Sequence, residues 1–227
     1  MTTLMNIAID GPAGAGKSTV AKLLAEKLMF VYIDTGAMYR ALTWKALQEK
    51  VDVNNEHLLN KLLQQTDIQL VNQSGEHHVK INNSDVTEDI RTTLVSNNVS
   101  YVAKHSLIRA EMVSKQQKLA EQGGTVMDGR DIGTAVLPKA DVKIFLTASV
   151  DERAKRRHEE QLSKDIPSDY LQLREEIAKR DQLDTERKVA PLKKAVDAIE
   201  IDSTSMTISE VVDHIYTIVA ERTGAVE

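Results

Sequence analysis

The chain has 227 residues, enough for one full core with small inserts and too few to demand two independent domains. Its net charge of −5 sets up a field that repels DNA and RNA, so any grip on phosphate has to come from local clusters and no nucleic-acid polymer is expected as a partner. It contains no cysteine, which excludes disulfides, thiolate zinc sites and thiol catalysis, and no apolar run near the ~20 residues needed to span a membrane.

Residues 1–10 lack the basic stretch and long apolar run of a signal peptide, so a cytoplasmic protein is expected. Asn6-Ile7-Ala8-Ile9-Asp10 reads as a short apolar strand, and Gly11 to Gly16 as a glycine-rich turn. From Lys17 to Leu28 the apolar positions Val20, Ala21, Leu24 and Leu28 recur at helical spacing. Val31-Tyr32-Ile33 is a second strand, Thr35-Gly36 a turn, and about Ala37 to Glu49 a helix. This β-α-β-α order predicts a parallel sheet covered by helices.

The rhythm then changes. Glu56 to Gln65 is predicted helical, and Ile68–Val71 and Val79–Ile81 flank Asn72-Gln73-Ser74-Gly75 as a β-hairpin. A hairpin does not belong in a β-α-β-α wind, so about 57–95 is expected to be an insert with its own small sheet. Two helices follow at about 92–104 and 106–121, closed by Gly123-Gly124. The α/β pattern returns with a strand at Thr125–Asp128, another at Val142–Leu146, a highly charged helix over Asp151–Ser163, and a helix at about 169–182 after Pro167. A last strand at Ala198–Asp202 leads to a helix over Ile208–Arg222. Five strand candidates make one parallel sheet the economical fold, an α/β architecture with helices on both faces.

Gly11-Pro12-Ala13-Gly14-Ala15-Gly16-Lys17-Ser18, with Thr19 behind it, satisfies the P-loop pattern G-x-x-x-x-G-K-[ST] in full. Its position matters as much as the match: it follows an apolar strand and opens an amphipathic helix. The glycines allow successive N–H groups to point at phosphate oxygens, and the helix adds the positive end of its dipole. Lys17 supplies a point charge for the β- and γ-phosphates of ATP, and the Ser18 hydroxyl a hard oxygen for Mg²⁺. A second metal partner is expected at the end of another strand. Asp128 is placed for it, although a strand-terminal Asp is often only a turn former, and Asp34 is a rival for a polar role on the acceptor side. The six histidines form no pair with metal-ligand spacing, so no histidine metal site is expected.

A P-loop alone does not separate a GTPase, a motor, a transporter ATPase and a small-molecule kinase. No N-K-x-D guanine motif and no L-S-G-G-Q transporter signature is present. What is present is Asp34-Thr35-Gly36-Ala37-Met38-Tyr39-Arg40, then Asp128-Gly129-Arg130-Asp131-Ile132-Gly133-Thr134, then Arg180-Asp181-Gln182-Leu183-Asp184-Thr185-Glu186-Arg187 ahead of Ala190-Pro191-Leu192. Together with the P-loop, in this order and spacing, these resemble the bacterial cytidylate kinase family over about Asn6–Arg222.

The resemblance implies a nucleoside monophosphate kinase fold, with a P-loop NTPase-type parallel five-stranded core over about 1–56, 96–150 and 168–227. It implies an enlarged monophosphate-binding insert over about 57–95 and a short lid over about 151–167. It implies transfer of the ATP γ-phosphoryl to CMP and dCMP, with Mg²⁺ accompanying ATP, by a monomer that needs no membrane. An acceptor such as UMP on the same fold is the alternative. It carries phosphate contacts to Thr35, Arg40 and Arg130, cytosine recognition to Ser100, Arg109 and Asp131, and ribose contacts to Arg180, Asp184 and Arg187. On an ideal helix these last three share one face, which is also how a plain surface salt bridge is spaced. Arg153 and Arg157 are implied to close over the moving phosphoryl, with Arg156 and Arg157 not separable from sequence. Acidic residues surround them, so a merely solvated charged helix is the competing reading.

Overall fold

A computed structural model describes residues 5–73 and 76–223. The chain divides into two compact units, Met1–Tyr32 with Ala120–Glu227, and Ile33–Leu119.

The first unit is built on β1 (Asn6–Asp10), β6 (Thr125–Gly129), β7 (Val142–Thr147) and β8 (Ile199–Asp202), in a five-stranded sheet of order β2-β6-β1-β7-β8. The outer strand β2 (Val31–Asp34) contributes Val31 and Tyr32 to this unit. Strand β1 runs parallel to both β6 and β7, and β7 parallel to β8. Alternation decides the packing. Ile7 and Ile9 of β1 join Val142, Ile144, Leu146 and Ile201 in a core with α1 (Lys17–Leu28) and α8 (Ile208–Thr223). Ala8 and Asp10 point the other way. Parallel strands flanked by helices are buried on both faces, and β1 and β6 are buried at every position except Asn6, their polar residues lying at or beside the strand ends. Two further helices complete the unit, α6 (Val150–Ser163) and α7 (Tyr170–Glu186). The expected helix at 169–182 therefore runs a turn longer, and Arg187 stands beyond its end in extended conformation. It is not presented by the helical face that carries Arg180 and Asp184.

One element has no sequence signal. After β6 the chain makes a wide turn over Ile132–Val136, in which Val136 N donates to Asp131 O at 3.2 Å and Leu137 N to Ile132 O at 2.6 Å. This i→i+5 spacing is a π-type turn, a form found mostly at functional sites.

The second unit contains α2 (Thr35–Gln48), α3 (Glu56–Gln64), β3 (Ile68–Gln73), β4 (Glu76–Ile81), β5 (Ser84–Asp85), α4 (Thr93–Ala103) and α5 (Ser106–Leu119). The predicted hairpin is present as an antiparallel β3–β4 pair, and β5 adds a third strand. Asn72 and Gln73 lie in β3, paired with His77 and Glu76, rather than in the turn; the other two expected turn residues, Ser74 and Gly75, fall outside the described residues. Helix α2 starts at Thr35, two residues earlier than expected, because the Asp34 side chain caps it by accepting from Ala37 N at 2.8 Å. The compact unit is wider than the 57–95 segment marked by the hairpin. Leu42 of α2, Leu59 and Leu63 of α3, Val79 and Ile81 of β4, Val102 of α4 and Met112 of α5 form one core, so the small sheet has no core of its own.

Candidate functional site

The donor loop begins where β1 ends. Gly11 has φ +147°, and a Cβ there would lie 1.9 Å from the Leu146 carbonyl oxygen of β7, so only glycine lets the chain leave the sheet at this point. The loop then curls into α1. Lys17 is buried, 5% exposed, and its ammonium donates to the Pro12 carbonyl at 2.7 Å. Burial, and next the guanidinium of Arg130, hold its pKa well below the usual lysine range, with Arg180 acting the same way and Asp128 opposing them. Lys17 thus feels two neighbouring guanidinium groups as well as the Asp128 and Asp10 carboxylates, and a buried ammonium in such surroundings is suited to meet a polyphosphate.

Ser18 Oγ donates to Asp128 Oδ2 at 2.9 Å, and the Tyr32 hydroxyl to Asp128 Oδ1 at 2.9 Å. The hydroxyl and carboxylate expected to serve a metal are therefore adjacent, and both are hard oxygens. Among the described residues no group of three or more His, Asp or Glu side chains could enclose an ion. This donor set fits Mg²⁺, which keeps its waters and takes phosphate oxygens rather than an all-protein cage. Tyr32 was not legible as a partner of Asp128, since nothing in the short strand pattern Val31-Tyr32-Ile33 indicates where a hydroxyl points.

The motif after β6 is held from below. Asp10, buried at the end of β1, accepts from Ile132 N at 2.7 Å and Gly133 N at 2.8 Å. Burial raises its pKa to about 6, the two backbone N–H groups opposing and Asp131 adding to the rise. A carboxyl with a folded pKa above its ordinary 3.8 holds more protons in the folded state, so its contribution to stability is present in acid and is lost as pH rises towards 6. Across that interval the loss is about 3 kcal/mol. Urea unfolding of wild type and Asp10→Asn at pH 4, 5, 6 and 7 should show the wild type losing stability relative to the variant by about that amount. A difference independent of pH would mean that Asp10 does not titrate there.

Above this anchor the charged side chains pair off. Arg130 Nε donates to Asp184 Oδ2 at 3.0 Å and its Nη1 to the Gly129 carbonyl at 3.2 Å. Arg187 Nη2 lies 3.5 Å from Asp131 Oδ1, and Arg187 Nε donates to Ala190 O at 2.6 Å. Arg187, expected beside Asp184 on a helix, is thus placed instead against the carboxylate expected to read the base. The lid candidates differ sharply. Arg153 is buried, with hydrogen bonds to Ala148 O, Ala13 O and Asp181. Arg156 is tied to Glu152 and to the Ser203 carbonyl. Arg157 is half-exposed and pairs with Glu160 at 3.0 Å.

In the second unit, Arg40 Nη2 donates to Asp34 Oδ2 at 2.8 Å, so the residue that caps α2 also holds the arginine one and a half turns on. Thr35 is buried at the start of the same helix. Arg109 of α5 is buried, donates to Ala103 O at 3.3 Å and lies 5.6 Å from the centre of the Tyr39 ring. Ser100 is buried on α4.

Comparison with known proteins shows the family. The family model for cytidylate kinase matches residues 7–221. The chain is 64% identical over 222 residues to a curated protein named cytidylate kinase from Anoxybacillus flavithermus, covering 98% of this chain and 99% of that one. It is 59% identical over 222 residues to one of the same name from Bacillus subtilis, with the same coverage. Among solved structures, an uncharacterised protein from Eubacterium ventriosum aligns with TM-score 0.51 at 16% identity over 96% of this chain and 98% of its own, a likeness of fold alone.

Proposed function

The chain belongs to the cytidylate kinase family, and from that premise we propose how its residues divide the reaction. It is an ATP-dependent kinase that transfers the γ-phosphoryl group to CMP, giving CDP and ADP. We assign dCMP as a second acceptor, and a cytoplasmic monomer as the working form. No helix among the described residues is long and apolar enough to cross a membrane.

The observation that carries the assignment of roles is Lys17, an ammonium whose pKa is depressed by its burial and next by two neighbouring arginines. In the proposed scheme the P-loop backbone from Gly11 to Thr19 wraps the ATP phosphates. An α-phosphate oxygen of CMP attacks Pγ, the bond from Pγ to the β,γ-bridging oxygen breaks, and ADP leaves with the electron pair. The attacking oxygen is already ionised at pH 7, so no general base is needed. Catalysis is then positioning and charge compensation. Lys17 neutralises charge on the β- and γ-oxygens. Arg157, the most accessible of the α6 arginines, closes over the transferred group within a lid at about 151–167. Ser18 and Asp128 would hold Mg²⁺, which when bound shields charge on the phosphate oxygens.

On the acceptor side, Arg130, Arg40 and Thr35 take the CMP phosphate, where a planar guanidinium fork suits two parallel hydrogen bonds. Asp131 accepts from the exocyclic amine of cytosine, with Ser100 and Arg109 on other edges of the ring. Arg180 and Asp184 take the ribose. Arg187, proposed from sequence for the ribose, is better supported as the partner that orients Asp131, because the two are 3.5 Å apart. The segment 57–95 is proposed as the monophosphate-binding insert.

A coupled assay of ADP release with CMP, dCMP, UMP, AMP and dTMP tests the acceptor assignment. CMP and dCMP should turn over with kcat/KM at least about 10-fold above UMP, the worth of one unpaired polar group in the base site. Equal rates with CMP and UMP would remove the cytosine-reading role from Asp131.

A further inference from the structure

Arg153 was expected to move over the phosphoryl group, and its surroundings point elsewhere. It is 4% exposed, and four of the five N–H donors of its guanidinium are used inside the protein. Nε donates to the Ala148 carbonyl just before α6 at 2.9 Å. Nη1 donates to the Ala13 carbonyl in the P-loop at 2.9 Å and to Asp181 Oδ1 at 3.1 Å, and Nη2 to Asp181 Oδ2 at 2.6 Å. Its stem lies against the same loop, since a Cβ added at Gly14, where φ is +77°, would come within 3.3 Å of Arg153 Cβ. A cation held in this way does not follow a phosphate. Its effect falls on the peptide whose oxygen it grips. The C=O and N–H of a trans peptide point in opposite directions, so fixing Ala13 O fixes the direction of the Gly14 N–H, one of the donors the loop offers to phosphate.

The other end of the bridge is on α7. Asp181 is the neighbour of Arg180 and lies one turn before Asp184, the carboxylate held by Arg130. We propose that Arg153 and Asp181 are positioning residues that couple occupancy of the acceptor residues on α7 to the shape of the P-loop, through the hydrogen bond from Arg153 to the Ala13 carbonyl. This rests on the assignment of Arg180 and Asp184 to CMP. A ligand that draws α7 towards it shifts Asp181, Arg153 follows because its two hydrogen bonds to that carboxylate are parallel and rigid, and the Ala13–Gly14 peptide turns with it. Coupling of this kind is reciprocal: whatever CMP does for ATP, ATP does for CMP.

The test is calorimetric titration of the full chain with the β,γ-imido analogue of ATP, alone and with saturating CMP. In wild type, CMP should tighten the analogue by at least about 5-fold. In Asp181→Asn and in Arg153→Lys, which keeps the charge but loses the fork, that factor should fall to within about 2-fold of unity, while each nucleotide alone still binds. Asp181→Glu, which restores a carboxylate, should recover part of the factor. A general loss of packing would weaken both titrations and leave their ratio in place. Thermal melts identify any variant that does not fold, and the remaining ones carry the comparison. A wild-type factor near one, or the full factor kept in the folded variants, overturns the proposal. A wild type that binds the analogue but no CMP overturns the acceptor assignment as well, which separates the two failures.

Discussion

Lys17→Ala is expected to lower kcat by about 10³-fold or more, equivalent to about 4 kcal/mol of transition-state stabilisation. The charge on the phosphate oxygens grows and moves during transfer, and Lys17 is a cation fixed at the loop proposed to surround them. Its burial makes the local dielectric low, so each unit of compensation counts for more than it would in water. Stability should move little. The hydrogen bond from the ammonium to Pro12 O is lost, yet so is the cost of burying a cation beside Arg130, the cause of its depressed pKa. Lys17→Met controls for the aliphatic stem, and its turnover should match that of Lys17→Ala. The measurements are steady-state ADP release and urea unfolding on both variants. Turnover near the wild-type value in either would take Lys17 out of the reaction.

Asp131→Asn is expected to lower kcat/KM for CMP by about 10–100-fold and to narrow the gap between CMP and UMP. Cytosine offers an amine where uracil offers a carbonyl oxygen. A carboxylate pairs with the first and faces a like acceptor on the second, whereas an asparagine amide can offer its oxygen to the amine or turn its NH₂ towards the carbonyl. The structure adds a second consequence. Arg187 lies 3.5 Å from Asp131 in a buried pair, so the variant leaves a guanidinium without its anionic partner and should lose about 1–3 kcal/mol of stability. The ratio of kcat/KM for CMP to that for UMP separates the two effects, because loss of folded enzyme lowers both terms equally. Arg40→Ala should leave this ratio unchanged while lowering both terms, since it is assigned to phosphate and not to base. If Asp131→Asn kept the full preference for CMP and Arg40→Ala lost it, the division into base and phosphate contacts would be reversed.

Several features of this protein were legible in the amino-acid order because their causes are local. The strand period of Asn6–Asp10, the glycines that follow and the helical period from Lys17 together specify a P-loop without reference to any distant residue. The hairpin betrays itself by the two strand-like runs on either side of the polar stretch Asn72–Gly75, although Asn72 and Gln73 prove to lie within β3. Tertiary structure alone decided the rest, since burial and pairing depend on residues far along the chain. Arg153 stands in a helix with Asp151 and Glu152 in its first turn and reads as a lid arginine, or else as a solvated one; α7, carrying Asp181 from 28 positions away, helps to bury it. Arg187 reads as the next step of a helical face, but α7 ends at Glu186 and the side chain turns to Asp131. Asp10 reads as the polar end of a strand, until the π-type turn at Ile132–Val136 folds 122 residues later onto its carboxylate. In each case the side chain was visible in the sequence and its role was not, because what fixes a buried charge is the partner that compensates it, and that partner is brought by the fold.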